Sequence, residues 1–267
     1  MRKRLLVLLL LVWALPGFAC TSVIVSGKYT RDGKAVMFKH RDSSCKDVSV
    51  EYFQGERYRL MGLVNSNWRR HPVAAVPAGT PEVWGGMNET GFAIMNTATY
   101  DLKDDDVPAS LMDKEGVVMY RALSVCASLA DFEHFLDTLS RPMCVETNFG
   151  VIDAYGGAAY YEVNNSSWVK FDVNEDPLGY RVVTNFTWTG RVEDRKGVDR
   201  YEKAMDILAS TSVPMRDWDH AFFIRHISCS GEPILRRSTS CAMIFEGSTM
   251  WASLGRPDRV PCKPYTL

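Results

Sequence analysis

The sequence predicts an α+β fold in which antiparallel strands and helices occupy separate layers. Strand-like segments come in blocks joined by tight turns, helical periodicity is confined to blocks of its own, and no repeat, low-complexity tract or Gly/Ser linker divides the chain. The composition fits one folded domain: 46% of the 267 residues are hydrophobic and 24% are charged. With 31 Lys and Arg against 32 Asp and Glu there is no net basic field, so nucleic acid is excluded as an expected partner.

The first 19 residues differ from the rest. Arg2, Lys3 and Arg4 are followed by an apolar run from Leu5 to Leu15, then Pro16, Gly17, Phe18 and Ala19. A basic start, a short apolar stretch and small residues at Gly17 and Ala19 describe a secretory signal peptide over 1–19, cut before Cys20. The run is too short to span a bilayer comfortably, so no stable membrane span is expected in the mature chain. Residues 20–267 then form the folded domain, with 28 Lys and Arg against 32 acids. The expected location is secreted or periplasmic. A lipid-modified Cys20 is the competing reading, but Gly17 stands where a lipobox has Leu.

Along the mature chain, β-branched Thr21–Ser26, a turn over Tyr29–Lys34 and the apolar trio Val36, Met37 and Phe38 predict an opening hairpin. Val83–Met95, with the turn Asn88–Gly91, predicts a second pair of strands closed by Asn96. Helical spacing follows over Gly116–Leu129, and again over Phe132–Leu139, where Asp131 reads as the cap and Pro142 as the stop. Four short strands come next: Asn148–Asp153, Ala158–Val163, Trp168–Val173 and Gly179–Thr184. They read as one antiparallel run. Tyr201–Ala209 and Trp218–Ile227 read as helices, and Thr239–Phe245 as a late strand.

Seven cysteines are present, and export permits disulfides. With Cys20 set aside, Cys45, Cys126, Cys144, Cys229, Cys241 and Cys262 can form up to three bridges or remain buried thiols. None has the close spacing of a zinc or redox pair, and His71, His134, His220 and His226 lack ligand company, so neither metal nor cofactor is expected.

Cleavage before Cys20 places a thiol and a free α-amine on one residue. An α-amine titrates near ~7.7–8.0, so a nucleophile arrives with its own base. Asn96 and Asn185, at strand ends, offer neutral amide donors suited to an oxyanion. Asn185 also heads an Asn-Phe-Thr glycosylation sequence, and both residues equally fit plain turn positions.

Cys20–Val25, Lys39–Asp42, Gly86–Asn96, Asn148–Asp153 and Val183–Asn185 stand in an order that resembles the linear-amide C–N hydrolases of the N-terminal-nucleophile superfamily. That group includes choloylglycine hydrolases, penicillin V acylase, acid-ceramidase-like enzymes and acyltransferases related to penicillin biosynthesis. The resemblance implies a four-layer αββα sandwich, two antiparallel sheets between helical layers. It implies Cys20 as nucleophile, Arg41 and Asp42 as the residues holding thiol and amine, Asn96 and Asn185 around the oxyanion, and Arg237 as a late arginine near the site. The family spaces its pair as Arg-Asn-x-Asp; here Arg41 and Asp42 are adjacent, which leaves Lys39, three before Asp42, as the alternative cation.

The implied activity is hydrolysis of a small-molecule N-acyl amide through a thioester. An acyltransferase of the same fold and a catalytically silent binding protein are the alternatives, and homo-oligomerisation is left open. Tyr52, Phe53, Tyr58, Leu60, Met61 and Trp68 are candidates for an apolar acyl pocket, although an apolar stretch is more often core; loops around 55–80 and 98–115 would set the pocket's size.

Overall fold

A computed structural model of the chain describes residues 20–70, 76, 77, 79–102, 106–210, 227 and 239–267. The expected leader, Arg237, Cys229, His71, His220, His226 and all but the last residue of the expected helix Trp218–Ile227 lie outside these.

Strands β1 (Thr21–Val25) and β2 (Val36–Asp42) form the expected opening hairpin. They are followed by β3 (Val48–Gln54), β4 (Arg59–Asn65), β5 (Gly85–Asn88) and β6 (Ala93–Ala98). Helices α1 (Glu115–Val125) and α2 (Leu129–Thr138) lead into β7 (Thr147–Ile152), β8 (Ala158–Val163), β9 (Trp168–Asp172) and β10 (Tyr180–Val183). Helix α3 (Val198–Ser210) precedes β11 (Thr239–Glu246), β12 (Thr249–Ser253) and β13 (Lys263–Tyr265).

Two antiparallel sheets result, a seven-stranded meander β3 to β9 in chain order and a six-stranded sheet ordered β10-β1-β2-β11-β12-β13. Apolar residues form three layers of core. Phe92, Leu123, Phe132 and Phe149 fill the space between α1, α2 and the larger sheet; Ile24, Met37, Met95, Tyr160 and Met243 lie between the sheets; Val23, Phe38, Leu208 and Ile244 lie between the smaller sheet and α3. The fold is therefore the expected αββα sandwich. Alternation along β1 feeds two of these layers at once, with Val23 outward to α3 and Ile24 inward.

Two sequence expectations are corrected. The first three strands of the four-strand run pair as β7-β8-β9, but β10 crosses to the other sheet and pairs with β1. The reason is burial: Val182 belongs to the α3 layer and Val183 to the inter-sheet layer, so β10 needs cover on both faces and an edge beside β9 offers it on one. The second correction concerns the helix pair. The first helix stops at Val125, and Ser128, not Asp131, caps the second; Asp131 returns the bond to the cap as the third residue of the helix.

Two alternatives are decided. The segment that reads as acyl pocket or core is mostly the hairpin β3–β4. Phe53, Leu60 and Trp68 pack in the core under α1, Met61 packs between the sheets and Tyr52 is exposed. Of the bridges and free thiols that the sequence allows, Cys45, Cys126, Cys144, Cys241 and Cys262 are free thiols, as is Cys20.

Phe132 is fully buried and meets Tyr161 and Phe149 edge-on, with ring centroids 5.1 and 5.9 Å apart. It joins α2 to the larger sheet. Phe132→Ala is expected to destabilise the fold by about 3–5 kcal/mol, measured as a shift in the urea unfolding midpoint; a change under about 1 kcal/mol would mean that the cluster is not a unit of stability.

Candidate active site

Cys20 precedes β1, which lies inside the smaller sheet between β10 and β2. The register that pairs Thr21 with His40 brings Cys20 level with Arg41, and Arg41 is in turn paired with Cys241 of β11. Because strand residues alternate, Cys20, Lys39, Arg41 and Cys241 share the face turned toward the larger sheet. At this end the sheets part around a cavity of ≈ 760 Å³ that Cys20, Lys39, Arg41, Asp42 and Asn96 help to line. Cys20 itself is only 6% exposed.

Lys39 is buried, and its Nζ donates to Asn96 Oδ1 at 2.8 Å and to the Trp84 carbonyl at 2.9 Å. Burial pulls its pKa down to about 8, with Arg41 pushing the same way and the Cys20 and Cys241 thiols opposing. The bond to Lys39 fixes which end of the Asn96 amide is oxygen, and Asn96 Nδ2 then donates to Thr147 Oγ1 at 3.3 Å.

Arg41 is occupied elsewhere. Its guanidinium donates to Ser240 Oγ at 3.0 Å and Asn65 Oδ1 at 3.1 Å and lies 5.1 Å from the centre of the Trp84 ring. Of the two cations the sequence left open, Lys39 is the one bonded to Asn96. Asp42 is buried, and His40 Nε2 stands 3.7 Å from Oδ1. Burial raises the Asp42 pKa; His40, Thr239, Arg200 and Lys46 act against that rise.

Asn185 is fully buried, which removes the glycosylation reading for this conformation. Its Nδ2 donates to the Ala98 carbonyl at 2.7 Å, and its Oδ1 accepts from Arg200 Nη2 at 2.7 Å. Arg200 is the residue that sequence reasoning missed. Its other nitrogen donates to the Cys20 carbonyl and to Thr21 Oγ1, so one guanidinium spans Cys20 and Asn185.

Two features make room for it. Gly197 has φ +74°, and a Cβ there would come within 2.2 Å of Arg200 Nη2. The loop after Asn185 is pinned by buried carboxylates: Asp101 accepts from the Thr187 N–H at 2.8 Å, and Glu162 accepts from the Thr189 N–H at 3.1 Å. A signal for Arg200 does exist in the sequence, since a cation in the first turn of a helix opposes the helix dipole and needs another reason to be there.

The burial of Lys39 has a measurable consequence. Its folded pKa, about 8, lies below its unfolded value near 10.5, so the unfolded chain holds this proton over the interval between them. Stability therefore rises with pH across that window. The difference in unfolding free energy between the native chain and Lys39→Met is expected to shift in favour of the native chain from pH 8 to 10.5. A pH-independent difference would place Lys39 in contact with water.

No protein-family model matches the chain, and no curated protein is similar to it in sequence. Solved structures are similar in fold. The Caenorhabditis elegans orthologue of N-acylethanolamine-hydrolyzing acid amidase aligns with a TM-score of 0.62 at 14% identity, covering 93% of this chain and 100% of that one. A mutant form of conjugated bile acid hydrolase from Clostridium perfringens aligns at 0.54 and 12% identity, covering 93% and 97%. Penicillin V acylase from Agrobacterium tumefaciens aligns at 0.52 and 14% identity, covering 88% and 83%. The chain thus shares its two-sheet αββα fold with these three enzymes, the fold that the resemblance of its motifs implied.

Proposed function

We propose that the chain is an exported amidase in which Cys20, freed by removal of residues 1–19, hydrolyses linear amide bonds of small N-acyl substrates through a thioester. The observation that carries this reading is that Cys20 shares one cavity with a buried cation bonded to Asn96, while a second cation joins the Cys20 carbonyl to Asn185.

In the processed chain the α-amine of Cys20 takes the thiol proton, and Lys39 favours the resulting thiolate. Sulfur bonds to the amide carbon while the carbonyl electron pair moves to oxygen. The second N–H of Asn96, oriented by Lys39 and Thr147, donates to that oxyanion, and Arg200 and Ala98 orient Asn185 beside it. The C–N bond then breaks, and the α-ammonium passes its proton to the departing amine.

Water adds to the thioester and gives a proton to the α-amine. The C–S bond breaks, the thiolate regains that proton, and the carboxylic acid leaves. Asp42, whose carboxylate has no ion pair shorter than 3.7 Å among the described residues, is the group to hold the α-ammonium.

Two outcomes test this. Processed protein with Cys20 at its terminus, verified by mass, is expected to hydrolyse N-acyl amides, while Cys20→Ala and a chain retaining residues before Cys20 do not. Equal activity from a verified unprocessed chain would exclude the α-amine as base. Asn96→Ala is expected to lower kcat by about 10²–10³ with less effect on KM; an unchanged kcat per folded molecule would make Asn96 a structural residue.

A further inference from the structure

One wall of the cavity is acidic. Glu82, Asp113, Glu115 and Glu146 line the cavity that Cys20 and Lys39 also line. Gly116 lets the chain at Glu82 pack against the start of α1, since a Cβ on Gly116 would come within 3.0 Å of Glu82 Cβ. Asp113 and Glu115 lie just before and at that helix start. Burial raises the pKa of Glu82, and Asp113 adds to the rise while Arg41 opposes it. Glu115 rises to about 7, chiefly through burial, with Asp113 and Glu146 adding to it. These carboxylates thus repel one another across the wall.

Their cations are few. Among the described residues, Glu82, Asp113 and Glu115 have no ion pair, Arg41 lies nearest to Glu82, and Arg191 stands near Glu146. Glu146 also accepts from the Leu102 N–H, and Glu115 from the Glu146 N–H. A second observation points to a ligand. Thr99, on the same cavity, is 3% exposed, and among the described residues its hydroxyl has no partner. No three described carboxylates, histidines or cysteines converge at metal-binding spacing, so a divalent ion is not the occupant the geometry favours.

From this we infer that the site takes N-acyl amides bearing a positively charged nitrogen, an ammonium or guanidinium, seated against Glu82, Asp113 and Glu115 with the Thr99 hydroxyl as an added acceptor. The inference rests on the proposed amidase reading for the word substrate, but the binding it describes does not need catalysis. A cation relieves the repulsion among the carboxylates, whereas an anionic group would add to it.

The test is calorimetric binding to processed Cys20→Ala protein at low and high salt. Four probes are compared: N-butanoylputrescine, charged on the amine side; N-butyl ε-aminocaproamide, charged on the acyl side; neutral N-butanoylpentylamine; and anionic N-butanoylglycine. At least one cationic probe is expected to bind about tenfold or more tightly than the neutral one, and the better of the two shows on which side of the scissile bond the charge lies. Asp113→Asn with Glu82→Gln is expected to remove most of that preference and leave the neutral probe unchanged. Asn tolerates the left-handed φ of +66° at position 113.

Neutral or anionic binding as tight as both cations, no cation binding at millimolar concentration, or a preference that survives the double variant would each overturn the inference. Wild-type turnover of the neutral amide, lost in Cys20→Ala, reports on the amidase reading separately.

Discussion

A lysine placed between two sheets organises this end of the molecule. Lys39 of β2 cannot reach bulk water, so its ammonium must find acceptors on the facing sheet, and it finds Asn96 of β6 and the Trp84 carbonyl. These bonds tie the two sheets together where the apolar inter-sheet layer ends. They also orient the Asn96 amide toward Thr147, a neighbour on β7. Removing the lysine would leave Asn96 Oδ1 without its donor, so packing and chemistry at this point depend on one contact.

Arg200 plays the matching part from the outer layer. It reaches from α3 to the Cys20 carbonyl and to Asn185, linking the residue ahead of β1 to the segment that follows β10. The loop beyond Asn185 is held in turn by Asp101 and Glu162, which spend their oxygens on backbone N–H groups rather than on cations. Cys20 is therefore held by its own strand pairing on one side and by a helix on the other. A thiol at a chain terminus would otherwise be free to fray.

The parts of this arrangement that could be read from the sequence are those with local causes. The hairpin β1–β2 declares itself through β-branched residues and a turn, and β5–β6 through the turn Asn88–Gly91, although Asn96 does not close β6 as the sequence suggests but lies inside it, the strand running on to Ala98. The transfer of β10 to the other sheet was not legible, because its cause is the cover that two distant layers give Val182 and Val183. Lys39 and Arg41 share a strand face, so spacing leaves either as the cation beside Asn96; what separates them is that Asn65, Ser240 and Trp84 engage Arg41. The apolar residues of β3 and β4 read as core or as pocket, and only the structure decides for core, since an apolar side chain carries no mark of which side of a sheet it will face. Arg200 could be seen only as a cation in an unfavourable place.

Most of the charges around the cavity are grouped by origin, with Asp42 the acid that stands among the cations of β2. The cations Lys39 and Arg41 come from β2, beside Cys20, while Glu82, Asp113 and Glu115 come from the approach to β5 and the start of α1. In the proposed reading, an amide bond bound across this space lies in a field that runs from the Lys39 side toward the acidic wall. Negative charge developing on the carbonyl oxygen is favoured on the Lys39 side, and positive charge elsewhere on the same molecule is favoured on the other. The two preferences do not compete, because they act on different ends of one substrate. Asp113 holds a left-handed φ of +66°, which a non-glycine residue adopts at a cost, so the backbone strain at the acidic wall lies where two carboxylates already repel each other. Strain and repulsion along the wall are both reservoirs that a bound cation can offset, and that links the shape of the wall to what it would select.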